Sequence, residues 1–303
     1  MCEASAILVD WGTTNFRAWL TCSDGKIMER CEAPAGIMQI PAGGFAEALE
    51  THVGKWRTSH PRLPVLMSGM VGSKQGWAEA PYVSCPAGID ELARSVMAVP
   101  GEDNVYIVPG ICYEAPDGRH DVMRGEEVQI FGSLRQGEKG RQVFCLPGTH
   151  SKWAAVEEGR VVWFATAMTG EVWAVMSQHS ILGRLMEGES LDDMDAFDRG
   201  FQLSGEPGGL LNHLFSVRAE GLFGAVPAEG LRSYLSGILI GHEIRAMLPI
   251  AGPAEWVTII GRPDITDLYS WAICAMEQQT VRIPAAGSTR HGLNHIQEAM
   301  QHD

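Results

Sequence analysis

The chain has 303 residues, which suggests two domains at about 150 residues each, and its 23 basic and 37 acidic side chains give a net charge of −14. Nucleic acid is disfavoured as a partner, because binding to the phosphate backbone depends on clustered Lys and Arg. Hydrophobic residues make up 45% and charged residues 20% of the sequence, which excludes a disordered chain and a disulfide scaffold.

Three short strands separated by turn residues open the chain. Their close spacing predicts an antiparallel meander, and the alternating helices and strands that follow indicate a mixed α/β layer. The predicted elements of the first half are strands at 5–10, 16–21, 26–31, 64–70 and 105–111 and helices at 45–56, 89–96 and 125–135.

The second half repeats this order. The segment at 10–19 (DWGTTNFRAW) aligns with 146–155 (LPGTHSKWAA), an offset of 136 residues, and each is a strand, a Gly-Thr turn and a strand. A repeat of this length predicts two similar domains, 1–136 and 137–303, with a ligand cleft between them. The predicted elements of the second half are strands at 141–147, 151–159, 160–168, 256–261 and 280–285 and helices at 171–186, 210–223, 234–248, 264–278 and from 289.

Seven scattered cysteines without a Cys-x-x-Cys pair favour reduced thiols in a cytoplasmic protein. Neither a signal peptide nor a run of about 18 apolar residues is found, so a membrane is not an expected partner. The sequence is compatible with a homo-oligomer and does not decide the oligomeric state. The acidic stretch 187–198 lacks the ligand spacing of a calcium loop and is interpreted as a solvated loop.

The turn after the first strand carries the strongest chemical signal. Asp10 ends a buried strand and could hold a metal ion or its water shell, and Gly12 permits a tight turn. Thr13 and Thr14 offer hydroxyl and backbone N–H groups to an anion, and Arg17 on the returning strand could pair with phosphate. A plain hairpin is the alternative for such a turn taken alone.

A second turn of this kind favours the phosphate interpretation. Its residues Gly148, Thr149, His150 and Ser151 would complete a polyphosphate site together with the first turn. Leu146-Pro147 stands where the first turn has its acid. Magnesium would therefore depend on Asp10, directly or through water, and on the nucleotide, because Mg²⁺ keeps several waters and takes few protein ligands.

Neither the P-loop nor the Rossmann glycine pattern is present. The two halves in order resemble the superfamily of sugar kinases, heat-shock ATPases and actin, and the Asp-x-Gly-Thr-Thr-x-x-Arg pattern at 10–17 resembles the first phosphate motif of its carbohydrate kinases. That resemblance implies two ribonuclease-H-like domains, each a mixed five-stranded sheet with flanking helices, which close over ATP and magnesium. Gly261, after a strand and before a helix, lies where the superfamily has an adenosine loop, and an ordinary strand-to-helix turn explains it equally well.

Longer strings give a closer resemblance. The segments at 69–82 (GMVGSKQGWAEAPY), 85–87 (CPA), 123–127 (MRGEE) and 146–153 (LPGTHSKW) resemble the 2-dehydro-3-deoxygalactonokinase family. The implied reaction joins ATP and 2-dehydro-3-deoxygalactonate to give ADP and the 6-phosphate, a step in bacterial galactonate breakdown.

A sugar acid needs a cation for its carboxylate, hydrogen-bonding groups for its hydroxyls and an apolar wall. One irregular loop offers this set, and functional residues concentrate on such loops. A surface loop with a buried Trp is the alternative. The candidate substrate residues on this loop are Ser73, Lys74, Gln75, Trp77, Glu79 and Tyr82.

Phosphoryl transfer also needs a group that accepts the hydroxyl proton. The run that begins Gly125-Glu126-Glu127 resembles the Gly-Asp-Gln-Gln segment of the kinases, with the register shifted by one residue. Glu126 is the first choice as the base and Glu127 the second. Acidic residues that complement the helix dipole are the alternative. Arg124 is a candidate for the substrate carboxylate or the transferred phosphoryl group.

Three other functions are compatible with these motifs. The chain could be a kinase for another sugar or sugar acid, or a phosphohydrolase of polyphosphate or nucleotides on the same fold. It could also be a sensor without catalysis, which would have to act through protein partners because no segment for a DNA-binding helix-turn-helix precedes the first strand.

Overall fold

The chain folds into two units, each built on its own β-sheet. In the computed structural model the described residues are 2–135, 140–188 and 191–301. The first unit contains the residues up to 140 together with 156–163 and those from 283 onwards, and the second contains 141–155 and 164–282. The predicted boundary between residues 136 and 137 lies outside the described residues.

The strands lie close to their predicted positions, and each half of the chain opens with the expected three-strand group. They are β1 Ala4–Trp11, β2 Phe16–Cys22, β3 Ile27–Ala33, β4 Val65–Ser68, β5 Tyr82–Ser84, β6 Met97–Ala98, β7 Val105–Ile107, β8 Gly110–Glu114, β9 His120–Met123, β10 Gln142–Leu146, β11 Ser151–Glu157, β12 Arg160–Ala167, β13 Trp256–Gly261 and β14 Gln279–Pro284.

The helices also follow the predicted pattern, with one addition in the second unit. Single 3-10 turns lie at Ile37–Gln39, Met70–Gly72 and Leu182–Leu185. The α-helices are α1 Phe45–Ser59, α2 Ile89–Arg94, α3 Glu126–Phe131, α4 Thr169–His179, α5 Met194–Leu203, α6 Gly209–Leu222, α7 Leu231–Ala251, α8 Pro263–Cys274 and α9 Ala285–Met300.

The two main sheets share one strand order. It is β3-β2-β1-β4-β7 in the first unit and β12-β11-β10-β13-β14 in the second, and the first sheet adds β6 at its edge to the five strands predicted. In the first unit β1 pairs antiparallel with β2 and parallel with β4. Four consecutive residues of β1, Ala6 to Val9, are buried, as expected for a central strand with both faces covered.

The strand predicted at 105–111 is wrong as a single element. It divides into β7, which pairs parallel with β4 in the main sheet, and β8, which lies in a separate sheet of order β5-β8-β9. Pro109 stands between the two strands. Since proline has no N–H to donate to a ladder, the chain leaves one sheet there and enters the other.

The prediction of a loop over the whole acidic stretch 187–198 is wrong, because α5 begins inside it at Met194. The carboxylate of Asp193 accepts a hydrogen bond from the N–H of Ala196 at 2.9 Å and so caps the helix. One turn apart, Phe197 and Phe201 are buried. The cap and this apolar pair together favour a helix over a loop.

The last helix belongs to the first unit, although the sequence placed residues 283–303 in the second domain. Helix α9 packs against α2 and α3. Its approach to α3 is close: a Cβ on Gly292 would lie 1.9 Å from the carbonyl oxygen of Val128, and a Cβ on Gly132 would lie 1.9 Å from that of Ser288. Glycine at both positions lets the two helix backbones touch.

One pair of cysteines forms a disulfide, where the sequence predicted reduced thiols. Cys2 and Cys22 form a disulfide with their Cα atoms 5.9 Å apart, because the antiparallel register of β1 and β2 sets Ala4 opposite Cys22. Five other cysteines are free thiols. No helix within the described residues is long and apolar enough to cross a membrane.

We expect Gly292→Ala to lower the free energy of unfolding by about 1–3 kcal/mol, the usual cost of overpacking a tight contact. Gly287→Ala on the same helix is the matched control, because a Cβ there meets no atom within 4 Å. It should be neutral or stabilising by up to about 1 kcal/mol, since alanine favours helix more than glycine does. Urea denaturation of both variants measures this, and equal stabilities would contradict the packing.

Candidate functional site

Backbone hydrogen bonds from the segment 36–38 hold the first Gly-Thr turn in place. The carbonyls of Gly12, Thr13 and Thr14 accept hydrogen bonds from N–H groups in the segment 36–38 at 3.0–3.3 Å. A Cβ on Gly36 would lie 2.2 Å from the carbonyl oxygen of Thr13, so this approach requires glycine. Within the described part of the chain, the N–H groups of Thr13 and Thr14 have no backbone partner. They are therefore available to an anion.

Asp10 and Arg17 form an ion pair at the base of this turn. They are register partners on β1 and β2, and Nη1 of Arg17 lies 3.2 Å from Oδ2 of Asp10, whose side chain is 18% exposed. Burial raises the pKa of Asp10, and the charge and hydrogen bond of Arg17 oppose that rise. The guanidinium that the sequence assigned to phosphate thus also holds the carboxylate in place.

Two glycines bring the helix α3 segment next to Asp10. Gly69 and Gly125 have φ angles of +94° and +103°, a region that side chains disfavour. A Cβ on Gly69 would lie 2.9 Å from the carbonyl oxygen of Trp11 and 3.6 Å from Oδ1 of Asp10, and a Cβ on Gly125 would lie 3.2 Å from the Cα of Gly69. The first unit therefore gathers Asp10, Gly69 and the start of α3 in one place.

The two adjacent glutamates at the start of α3 have different environments. Glu127 is fully buried, and both its carboxylate oxygens accept the N–H of Gly125, at 2.8 and 2.9 Å. Burial and the neighbouring charge of Glu126 raise the pKa of Glu127 to about 8. Glu126 is half-buried and its Oε2 accepts the N–H of Arg124 at 3.0 Å. Of the two residues, Glu126 is therefore the more exposed to solvent.

Arg124 is a buried guanidinium with unused donors. The residue is 8% exposed. Its Nη2 donates to the carbonyl of Ala80 at 2.7 Å, and its Cζ lies 4.4 Å from the centre of the Tyr82 ring. Nε and Nη1 are buried without a hydrogen-bond partner among the described residues. Because an unpaired buried charge is costly, this group is suited to an anionic ligand.

The loop predicted to bind substrate divides into an exposed and a buried set. Lys74, Gln75 and Glu79 are exposed, and Tyr82 is 42% exposed beneath Arg124. A Cβ on Gly72 would lie 2.9 Å from Nη1 of Arg124, so the loop backbone passes directly against the guanidinium.

Two loop residues lie elsewhere than the sequence suggested. Trp77 stacks on Phe45 with ring centres 6.1 Å apart and lies edge-on to Trp11, so this half-buried side chain packs against the apolar core. The hydroxyl of Ser73 is buried, with no partner among the described residues. Both side chains are thus less exposed to solvent than Lys74, Gln75 and Glu79.

In the second unit, Gly148, Thr149 and His150 are exposed and rest on the start of α4. The N–H of Glu171 donates to the carbonyl of Thr149 at 2.9 Å. A Cβ on Gly170 would lie 2.3 Å from the carbonyl oxygen of Gly148. The turn and the helix terminus are therefore in backbone contact.

Ser151 does not face solvent as a phosphate-binding hydroxyl would. Its side chain is fully buried, and its Oγ lies 3.0 Å from the hydroxyl of Tyr269. Residues alternate between the two faces of a strand, and Ser151, the first residue of β11, points into the core. Gly261 ends β13, and a Cβ there would lie 3.9 Å from Pro147. The candidate adenosine turn and the second Gly-Thr turn are thus neighbours within this unit.

Comparison with known proteins identifies the family. The 2-keto-3-deoxy-galactonokinase family profile matches residues 10–296. This chain belongs to that family. The curated 2-dehydro-3-deoxygalactonokinase of Escherichia coli (strain K12) is 33% identical over 297 residues, which cover 98% of this chain and 99% of the relative. A Rhizobium meliloti (strain 1021) protein, whose assigned activity is a probable 2-dehydro-3-deoxygalactonokinase, is 35% identical over 94% of each chain.

Solved structures agree with this family and with the predicted fold class. A crystal structure of a Sinorhizobium meliloti protein to which the same kinase activity is attributed matches with a TM-score of 0.90 and 33% identity, covering 97% of this chain and 99% of that one. The activator of 2-hydroxyisocaproyl-CoA dehydratase from Clostridium difficile matches at 13% identity with a TM-score of 0.53, over 98% of this chain and 96% of that one. The expected two-domain actin-like ATPase and sugar-kinase fold is confirmed.

Sequence reasoning missed the residues that support the two turns. Gly36 was not singled out, although an isolated glycine between apolar residues is a sign of close backbone approach. Glu243 was also missed. It is the single carboxylate in the mostly apolar helix α7, and its side chain lies next to Ser151 at the end of the second turn. An acidic residue inside an apolar helix is the signal that could have found it.

We expect the stability of the protein to fall as pH rises from 5 to 7.5, because Glu127 keeps its proton in the folded state after the unfolded chain has lost it. Glu127→Gln should remove the part of this pH dependence that Glu127 contributes. The variant and the parent should have similar free energies of unfolding at pH 5. At pH 7.5 the variant should be the more stable by roughly 3 kcal/mol, at 1.36 kcal/mol per pKa unit. Denaturation at both pH values measures the difference.

Glu126→Gln serves as the comparison for that experiment. It removes the like charge that raises the pKa of Glu127, so it should reduce the pH dependence without abolishing it. A parent protein with no loss of stability across this pH range would contradict a proton held on Glu127.

Proposed function

We propose that this chain transfers the γ-phosphoryl group of ATP to the 6-hydroxyl of 2-dehydro-3-deoxygalactonate, giving ADP and the 6-phosphate. Membership of the family and the likeness to the Escherichia coli enzyme support the substrate. The observation that carries the proposal is the grouping of Asp10, Arg124 and Glu126 around Gly69 and Gly125. A protein that handles ATP and this acid belongs in the cytoplasm, which we include in the proposal.

In this mechanism Arg124 binds the carboxylate of the sugar acid. Its Nε and Nη1 supply unpaired N–H donors, and its position is set by Ala80 and Tyr82. We assign the exposed side chains of Lys74, Gln75 and Glu79 to hydrogen bonds with the hydroxyl groups of the sugar acid. Ser73 and Trp77 support the loop from within.

Glu126 is the proposed base. Its carboxylate accepts the proton of the attacking hydroxyl as the new O–P bond forms and the bond to the ADP oxygen breaks. Glu127 is unsuited to this step in the described structure, because it is fully buried and its pKa of about 8 keeps its carboxyl group protonated at neutral pH.

The second substrate is ATP bound to magnesium. Asp10 offers one largely buried carboxylate beside the free N–H groups of Thr13 and Thr14, which suits an ion that keeps most of its waters. Gly12 and Arg17 shape that turn. Gly148, Thr149 and His150 are proposed to bind phosphate in the second unit, with Gly261 near the adenosine.

Glu126→Gln should lower kcat by about 10²- to 10⁴-fold, the usual contribution of general acid–base catalysis, with little change in KM. Steady-state assays coupled to ADP release measure both constants. The exposed Glu298→Gln is the control and should behave as the parent. Near-normal turnover of Glu126→Gln together with an inactive Glu127→Gln would move the base to Glu127.

Arg124→Gln should raise KM for the sugar acid by at least about tenfold, because a charged hydrogen bond is worth about 1.5–3 kcal/mol, and should change KM for ATP little. The control is Arg119→Gln, an exposed arginine whose partner is the nearby Asp117. An analogue whose carboxylate is replaced by an amide should be a poor substrate of the parent and lose little further with the variant. Equal losses for acid and amide would contradict a carboxylate site.

A substrate panel separates this activity from the alternatives. The parent protein is given ATP, magnesium and either the galactonate-derived acid, its gluconate-derived isomer, other sugars or no acceptor. Turnover confined to another sugar or acid would replace the substrate and keep the kinase. Phosphate release at an equal rate without any acceptor would indicate a phosphohydrolase instead.

A further inference from the structure

Glu243 is a carboxylate in the interior of the second unit. It lies in the middle of α7, and the residue is 5% exposed. Oε1 accepts the indole N–H of Trp153 at 2.8 Å, and Oε2 accepts the hydroxyl of Tyr269 at 2.7 Å. Burial raises the pKa of Glu243, and hydrogen bonds from Thr169, Tyr269, Trp153 and Ser151 oppose the rise.

This set of donors is specific for a carboxylate. A carboxylate accepts at about four lone-pair positions, and four side chains that carry N–H or O–H donors surround this one. Trp153 and Tyr269 donate to it directly. The indole N–H can only donate. A glutamine amide of the same shape would direct N–H groups at donors, and an apolar side chain would leave the donors buried and unpaired.

Two of the four donors belong to the machinery around the second Gly-Thr turn. Ser151 directly follows the exposed residues Gly148, Thr149 and His150, and Thr169 is the first residue of α4. Immediately after Thr169, α4 contacts the turn through Gly170 and through the N–H of Glu171. Glu243 therefore lies next to Ser151 and Thr169, the residues on the two sides of this backbone contact.

The remaining two donors connect this point to the core. Trp153 is fully buried on β11, and Tyr269 is almost fully buried on α8. Tyr269 contacts Ser151 as well as Glu243, at 3.0 Å and 2.7 Å. Because the single hydroxyl hydrogen of Tyr269 is donated to Glu243, the Ser151 hydroxyl donates to Tyr269. The turn is thereby connected to α8 and, through Tyr269, to Glu243 on α7.

We propose that Glu243 is a positioning residue that fixes the Gly148–Ser151 turn against α4 in the geometry that binds the phosphoryl groups of ATP. This role rests on the proposed function for its phosphate ligand. Glu243 touches no substrate. It acts through Ser151 and Thr169, and a misplacement of about 1 Å in such a turn is enough to cost about 10²-fold in rate.

The test compares Glu243→Gln with the parent and with Ile244→Val. Ile244 is the next residue of α7 and is fully buried, so its variant loses core stability without touching the turn. Glu243→Gln should weaken ADP binding by at least about tenfold in calorimetry without any acceptor, equivalent to about 1.4 kcal/mol. It should raise KM for ATP similarly and leave KM for the sugar acid within about twofold. Ile244→Val should lower only the melting temperature.

A second variant covers the case in which Glu243→Gln fails to fold. Tyr269→Phe keeps the ring and removes the hydroxyl that contacts both Ser151 and Glu243, so it should weaken ADP binding about threefold or more by the same reasoning. The proposal is overturned if the folded variants melt earlier but bind ADP and use ATP as the parent does. If the parent binds ADP but does not phosphorylate the sugar acid, only the proposed substrate fails, because ADP binding tests Glu243 separately.

Discussion

Backbone contact that only glycine permits is the constraint on which both candidate turns depend. Gly36 lies against the first turn, and Gly170 lies against the second. Gly69 and Gly125, with positive φ angles, bring the start of α3 to Asp10. Because a Cβ at any of these positions would collide with neighbouring backbone or force a strained conformation, the chemistry-bearing side chains owe their positions to residues that have no side chain.

Three buried ionisable groups in this fold have different environments and therefore different roles in stability and function. Glu243 is surrounded by donors, the pKa of Glu127 is raised to about 8 so that it stays protonated at neutral pH, and Arg124 keeps two nitrogen atoms without a partner among the described residues. A buried carboxylate with hydrogen-bond donors around it, such as Glu243, fixes the local structure. A protonated carboxyl group, such as Glu127, avoids the cost of burying a charge, and an unpaired guanidinium, such as Arg124, is suited to bind an anion. The three groups therefore play different roles, although all of them are hidden from solvent.

Sequence patterns predicted much of the fold and part of the site. The shared strand order of both sheets follows from the repeated hairpins, and the long motif strings indicated the family. The patterns failed where two elements compete for the same residues. Pro109 divides one apolar run between two sheets, and Asp193 caps a helix inside an acidic stretch. Trp77 packs against the core because Phe45 and Trp11, which are distant in sequence, provide its surroundings.

The sequence by itself determined the fold class, the two Gly-Thr turns and the family, because strand periodicity, turn residues and motif strings are local properties. Only the tertiary structure decided what each side chain does. It turned Ser151 inward, paired Arg17 with Asp10 through strand register, hid Glu127 and left Glu126 more exposed. Burial and hydrogen-bond partners arise from residues brought together across the chain, and the free energy of a charged or polar group depends on those neighbours.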